Sequence, residues 1–370
     1  MSKRREIFCS ILQRQYLEKT VKKKEKYDKI HLSIKSLPPL RLKARPDGCN
    51  ALYAIGGIIM AVKKEFYFPS VSGLADIHAC SFFPEDKSSV KAVIQIAHGM
   101  AEHLERYEKF ASVLCENGFA VYINDHLGHG KSVKNDDELG FFGEKDGWKN
   151  FIGDCHMLMQ IAKKENPGKP YFFFGHSMGS FVSRSFTKKY ASELAGAVFC
   201  GTAGPNPGAK VGIALAKAIG KVKGSHYRSK LIDNIAFGTY NKEFEGRTNF
   251  DWLSRDNDEV DKYIADKYCG FLFTVYGFRD MFTLLDSVST KQWAQEYSKQ
   301  LPVLMISGSK DPVGANSKGV EKVYNMLKDA GKTNVTLHFY EGARHEILNE
   351  SKCFDKVCKD VIDWANAIIG

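Results

Sequence analysis

The sequence predicts an α/β fold: a mostly parallel central sheet, helices on both faces, and an inserted lid over the carboxyl ends of the strands. Three observations predict it. Short apolar strands alternate with amphipathic helical stretches. The alternation lapses once, between Thr202 and Ser289. The groups able to do chemistry each follow directly on a strand.

Residues 91–97 form an apolar strand ending at His98-Gly99. Tyr107, Phe110, Ala111 and Leu114 then recur at i, i+3, i+4 and i+7, one buried face of a helix that stops near Asn117-Gly118. After a strand at 121–124, Phe151, Ile152, Cys155, Leu158, Met159 and Ala162 mark the next helix, ended by Asn166-Pro167-Gly168. A strand at 171–174 leads into a helix running to about Tyr190. Strands at 197–200, 302–307 and 335–340 and a helix at 354–369 complete the series. The chain therefore divides into a basic N-terminal extension (1–59), a first core part (60–203), a lid (204–289) and a second core part (290–370).

Composition is ordinary for a globular protein, with 44% apolar and 26% charged residues. That excludes a disordered chain, a collagen-like chain and a disulfide-stapled miniprotein. The longest uncharged apolar run, 51–62, has 12 residues, short of the roughly 18 that cross a membrane. The expected location is the cytoplasm, with peripheral membrane contact at most. The net charge of +10 is concentrated: residues 1–59 hold 14 Lys+Arg against 5 Asp+Glu, and the rest holds 39 against 38. Nucleic acid is not an expected partner of the main domain. Nine scattered cysteines, with no Cys-x-x-Cys pair, exclude a disulfide framework and a structural zinc finger.

The extension carries Lys3-Arg4-Arg5 and Lys22-Lys23-Lys24. Ile7, Phe8, Ile11 and Leu12 could line one side of a short basic helix on an anionic membrane, and a solvated tail is the plainer reading. A third reading is that translation starts at Met60 in a bacterial host, the purine-rich codons of Gly56-Gly57 serving as ribosome-binding site. Nothing in the extension has the pattern of a secretion signal.

Gly175-His176-Ser177-Met178-Gly179 matches G-x-S-x-G, a weak motif made informative by its place between a strand and a helix. The glycines let a strained turn form, which holds the Ser177 hydroxyl at the sheet edge. A serine needs a general base, and the base needs a partner to fix its tautomer. Asp311 and His345 each follow one of the later strands, in the chain order this architecture uses. Asp286 and Asp329 are competing acids, but neither follows a core strand. Two backbone donors should stabilise the oxyanion, from Met178 and from Met100 in the loop after the 91–97 strand. This chemistry requires no cofactor and no metal.

His98-Gly-Met-Ala-Glu-His-Leu-Glu-Arg-Tyr107, Asn124-Asp-His-Leu-Gly-His-Gly-Lys-Ser132, the Ser177 motif and the loops of Asp311 and His345 together resemble the monoacylglycerol lipase/lysophospholipase family of the α/β-hydrolase superfamily. The likeness covers about residues 62–370. It implies Ser177 as nucleophile, Asp311 as acid, His345 as base and the amides of Met100 and Met178 as oxyanion donors. The loop at 125–132 is a marker of that family and reads as structural. Glu102 and Arg106, four apart, read as a helix-start ion pair.

The lid is rich in aromatic residues, which suits an acyl chain. Phe271, Phe273, Phe278, Met281 and Phe282 are its expected substrate wall. The expected activity is release of a fatty acid from a monoacylglycerol or lysophospholipid. Another carboxylesterase, a thioesterase or an acyltransferase could use the same triad, and a non-catalytic lipid-binding protein is the rival from a different class. Oligomeric state is not legible in the sequence.

Overall fold

A computed structural model describes residues 52–55 and 58–370. The short basic helix expected at 7–12 lies outside the described residues. In chain order the first elements are β1 (Leu52–Ile55), β2 (Ile58–Pro69), β3 (Asp76–Phe83), β4 (Ala92–Ala97), α1 (Glu108–Glu116), β5 (Phe119–Asn124), α2 (Trp148–Glu165), β6 (Tyr171–His176), α3 (Met178–Tyr190) and β7 (Gly196–Cys200). Five helices intervene before the next strand: α4 (Gly208–Lys223), α5 (Lys230–Phe237), α6 (Asn257–Ala265), α7 (Val275–Ser287) and α8 (Lys291–Glu296). Then come β8 (Val303–Gly308), α9 (Lys318–Asp329), β9 (Val335–Tyr340) and α10 (Phe354–Ile369).

The described strands form one nine-stranded sheet in the order β1-β2-β3-β5-β4-β6-β7-β8-β9. From β5 to β9 every neighbouring pair is parallel. The pairs β1–β2, β2–β3 and β3–β5 are antiparallel. This is an α/β-hydrolase fold. Sequence periodicity named the parallel strands and passed over the three antiparallel ones. The reason lies in their composition: β2 is interrupted by Lys63-Lys64-Glu65, and β3 buries His78, which bridges Asp125 at 2.7 Å and Glu65 at 2.5 Å. Buried polar groups satisfied by one another carry no hydrophobic signal.

The period of two along each strand sorts side chains to opposite faces of the sheet. On β6, Phe173 packs with the cluster containing Phe151, Phe186 and Phe199. Phe172 and Phe174 join the cluster on the other face, with Ile94, Phe110 and Val357. Each fully buried phenylalanine contributes roughly 1.5–3 kcal/mol relative to exposure, so the centre of the sheet is the most strongly held part of the molecule. The chain moves from β4 to β5 on one side and returns to β6 on the other, which opens a crevice at the carboxyl ends of β4 and β6.

Arg184 of α3 holds the two points at which the chain leaves and re-enters the core. Its guanidinium is fully buried and donates to Thr202 Oγ1 (3.2 Å) and the carbonyl of Ala203 (2.8 Å) on the outgoing side. On the returning side it donates to the carbonyl of Val288 and to Ser289 Oγ (3.4 Å), and it stacks on Trp293. Burial lowers its pKa to about 9. Replacing Arg184 by Met strands these buried acceptors, and we expect unfolding in urea to show a loss of about 2–4 kcal/mol.

Candidate active site

Ser177 occupies the turn between β6 and α3 with φ 52° and ψ −121°. A non-glycine residue in such a conformation stores about 1–3 kcal/mol. Two close approaches make the turn feasible. A Cβ at position 175 would run into the carbonyl of Gly179, and one at position 179 would run into the carbonyl of Ala97 on β4. The Ser177 N–H donates to the Cys200 carbonyl at 2.9 Å, locking the elbow to β7.

Asp311 follows β8 and His345 follows β9. His345 Nδ1 donates to Asp311 Oδ1 at 2.9 Å, and both side chains are buried. Asp311 Oδ1 also accepts the Val313 N–H at 2.9 Å, and Oδ2 accepts from Ser307 Oγ at 3.3 Å. The carboxylate is thus fixed on both oxygens before it meets the imidazole. From the insertion, Trp252 lays its ring 5.2 Å from that of His345, and the carbonyls of Trp252 and Leu253 accept the N–H groups of His345 and Glu346.

The loop after β4 comes against the serine. A Cβ on Gly99 would lie 2.6 Å from Glu102 Oε1 and 3.1 Å from the Ser177 Cβ, so a side chain there would disturb both. His98 anchors the loop: its Nδ1 donates to the Gly99 carbonyl at 2.8 Å, and its Nε2 accepts the His126 N–H at 2.9 Å. Burial lowers the His98 pKa to about 4, so the imidazole is neutral and can both donate and accept. Met178 is the first residue of α3, where an amide has no partner inside the helix. Met100 lies in the loop after β4, both residues border one cavity, and among the described residues neither amide donates to a protein acceptor.

The Glu102–Arg106 pair forms at 2.7 Å, and it belongs to a larger buried assembly. Arg106 also makes a two-pronged contact to Glu346 at 2.6 and 2.7 Å. Glu102 Oε1 accepts the Gly99 N–H (2.5 Å) and the Tyr107 hydroxyl (2.7 Å), and it lies 3.3 Å from His176 Nδ1. One arginine therefore ties together the loop of Met100, the residue before Ser177 and the residue after His345. Burial alone would push the Glu102 carboxyl up, but the His176 hydrogen bond and the Arg106 charge hold it well below 4.5. Burial likewise opposes charging of His176, and Glu102 outweighs it, raising the imidazole above 6.5. Sequence spacing found the Glu102–Arg106 contact and missed Glu346, Tyr107 and His176. Residues 240 positions apart leave no local trace of pairing. The one available signal was that Glu346 and His176 each adjoin an expected site residue.

The loop at 125–132 is a scaffold. Asp125 Oδ1 accepts the Leu104 N–H at 2.8 Å, and Oδ2 accepts the Lys131 N–H at 2.9 Å as well as contacting His78. His129 stacks on Phe142, and burial lowers its pKa to about 3.

Ser177, His345, Gly99, Met100 and Met178 border a cavity of about 820 Å³ whose outer wall comes from the insertion. Of the five expected wall residues, Phe271, Met281 and Phe282 line it. Phe273 and Phe278 do not. Both are fully buried: Phe273 packs edge-on against Phe142 and His129, and Phe278 sits between Phe273, Phe237 and Phe282. Alternation along a short extended stretch and helical rotation along α7 turn these two rings toward the core.

A family model described as serine aminopeptidase S33 matches residues 88–352. Human monoglyceride lipase is 29% identical over 268 residues, covering 70% of this chain and 77% of that protein. Monoacylglycerol lipase from Mycolicibacterium smegmatis is 27% identical over 316 residues, 83% and 98% of the respective chains. Among solved structures, a thermostable carboxyl esterase from Bacillus coagulans, bound to glycerol, superposes with a TM-score of 0.78 at 30% identity, covering 83% of this chain and 99% of that one.

The shifted pair gives a two-sided pH prediction. Glu102, lowered below 4.5, contributes stability in full above that value and loses it as the pH falls through the folded pKa. His176, raised above 6.5, contributes in full below that value and loses it as the pH rises through its folded pKa. In chemical denaturation across pH, Glu102→Gln should flatten both limbs, and unchanged slopes would show that the pair is not coupled.

Proposed function

The chain belongs to the serine aminopeptidase S33 family of α/β-hydrolases and is a serine ester hydrolase, and we propose that it releases a fatty acid from a monoacylglycerol or lysophospholipid through an acyl-enzyme on Ser177. The observation that carries the reading is the conjunction of a strained, cavity-facing Ser177 with a His345 whose Nδ1 is tied to Asp311. That bond orients the imidazole and leaves Nε2 as the base. Ser177 Oγ attacks the ester carbonyl carbon as its proton passes to His345. The negative oxygen is met by the Met100 and Met178 N–H groups. The tetrahedral intermediate expels the alcohol, which takes the proton from His345. Water then repeats the sequence on the acyl-enzyme and frees the fatty acid. No step needs a cofactor.

The cavity supports a lipid acyl chain. Its volume of about 820 Å³ is ample for a long ligand, and Phe181, Phe271, Leu272, Met281, Phe282 and Leu285 give it an apolar wall. Each methylene buried there adds roughly 0.8 kcal/mol of binding. An aminopeptidase would need carboxylates for the substrate ammonium. Asp256 at the start of α6 and Asp258, Glu259 and Asp261 on it do not line the cavity, and two of the acids that do, Glu102 and Glu346, are already engaged by Arg106. Asp233 is the third lining acid among the described residues, and burial raises its pKa.

Peripheral membrane contact forms part of the proposal. Val211 and Val222 on α4 and Leu231 and Ile235 on α5 are exposed, and Lys210, Lys221 and Lys230 lie beside them in sequence. Apolar side chains flanked by lysines suit an anionic lipid surface that delivers the substrate. Val222→Asp combined with Leu231→Asp, neither of which lines the cavity, should reduce co-sedimentation with anionic vesicles while leaving hydrolysis of a soluble ester intact; unchanged sedimentation would remove this surface from the account.

The enzymatic proposal is tested by fatty-acid release from monoacylglycerols, lysophospholipids, short esters and aminoacyl amides. Ser177→Ala should abolish release from the first two, and His345→Ala should lower kcat by several orders of magnitude. Activity confined to short esters or amides would overturn the acyl-chain assignment, and full activity in Ser177→Ala would overturn the nucleophile.

A further inference from the structure

A second group of chemically capable side chains lies outside the machinery just described. His103 follows the loop of Met100 by three residues, and Asp266 and Cys269 belong to the turn between α6 and α7. A ring nitrogen of His103, a carboxylate oxygen of Asp266 and the Cys269 sulfur all lie within 4.8 Å of one another. His103 and Cys269 are buried, while the Asp266 side chain is 34% exposed and opens the cluster to water on one side.

The cluster is held in shape by the backbone around it. The Cys269 N–H donates to the Asp266 carbonyl at 3.0 Å, closing an Asp-x-x-Cys turn. The Tyr268 N–H donates to Asp266 Oδ1 at 2.8 Å, which leaves Oδ2 facing His103 Nε2 at 2.9 Å. The Gly270 N–H donates to the Ala101 carbonyl at 2.9 Å, pinning the turn to the segment that leads into His103. A tetrahedral zinc ion bound at about 2.0–2.3 Å sets its ligand atoms roughly 3.3–3.7 Å apart, a spacing that the three atoms, within 4.8 Å of one another, approach.

We propose that His103, Asp266 and Cys269 form a binding site for a zinc-type divalent cation, with water as fourth ligand. Imidazole, carboxylate and thiolate together match the borderline-soft preference of Zn²⁺ and exclude Mg²⁺ or Ca²⁺ as the natural occupant. Two anionic ligands neutralise the dication, so a neutral centre is formed at a partly buried place. Without metal, burial keeps the Cys269 thiol protonated, and binding therefore expels one proton. The ion would join the loop that carries Met100 to the segment that carries Phe271, two walls of the cavity. The inference is independent of which ester the cavity accepts.

Titration of the reduced full chain with Co²⁺, a spectroscopic stand-in for Zn²⁺, tests it. The expected result is one equivalent of cobalt giving a thiolate-to-cobalt charge-transfer absorption and tetrahedral visible bands, displaced by Zn²⁺. Cys269→Ser should lose the charge-transfer absorption, and His103→Gln should weaken cobalt binding at least tenfold, while Cys358→Ser keeps both signals. Zn²⁺ should raise the Tm of the wild type and not that of Cys269→Ser, a comparison that also shows the variant to be folded. Absence of the absorption, or its survival in Cys269→Ser, would overturn the proposal.

Discussion

The conformation of Ser177 is the constraint on which the rest of the site depends. A side chain at φ 52° is unfavourable by itself, and it persists because β6 and α3 are both fixed in a packed core. Gly175 and Gly179 permit the approach of α3 to the carboxyl end of β4, and Gly99 permits the loop after β4 to touch the serine. One turn thereby brings the serine and its candidate oxyanion donors to the same crevice of the sheet. The apolar faces of β6 supply the stabilisation that this strain consumes.

Charge organises the second layer. Arg106 bridges Glu102 and Glu346, and Glu102 in turn reaches Gly99, Tyr107 and His176. Three segments that are distant in sequence are thereby bound through a single largely buried guanidinium. Removing one partner from such a group leaves uncompensated charge in a low-dielectric place, so the group acts as a unit. Arg184 plays a comparable part for the insertion, gripping its exit at Ala203 and its return at Val288. The cavity roof is therefore anchored at both crossings, and between them by the hydrogen bonds of Trp252, Leu253 and Gly270 to the core.

Much of this was legible in the sequence, for identifiable reasons. The strands at 92–97, 119–124 and 171–176 are near-continuous apolar runs because helices cover both faces of the sheet, and burial on two sides writes an unambiguous pattern. Ser177 directly follows β6, and Asp311 and His345 lie in the loops after β8 and β9, so the strand pattern alone assigns all three to one end of the sheet. The strands β2 and β3 were not, because His78, Glu65 and Asp125 satisfy one another in place of apolar residues. The role of Glu346 depends on a contact with Arg106 that only the assembled fold creates. Phe273 and Phe278 were assigned to the cavity wall on residue type, and alternation along the stretch before α7 (Phe273) and rotation around α7 (Phe278) turn both rings away from it.

The central claim is that Ser177 carries the acyl group during turnover. Its most direct test is acid quenching of the enzyme during steady-state cleavage of a long-chain p-nitrophenyl ester, followed by peptide mass mapping. The account predicts an acyl adduct on the peptide containing Ser177, absent in Ser177→Ala and absent once substrate is exhausted. Turnover with no adduct, or an adduct on another residue that persists in Ser177→Ala, would contradict it.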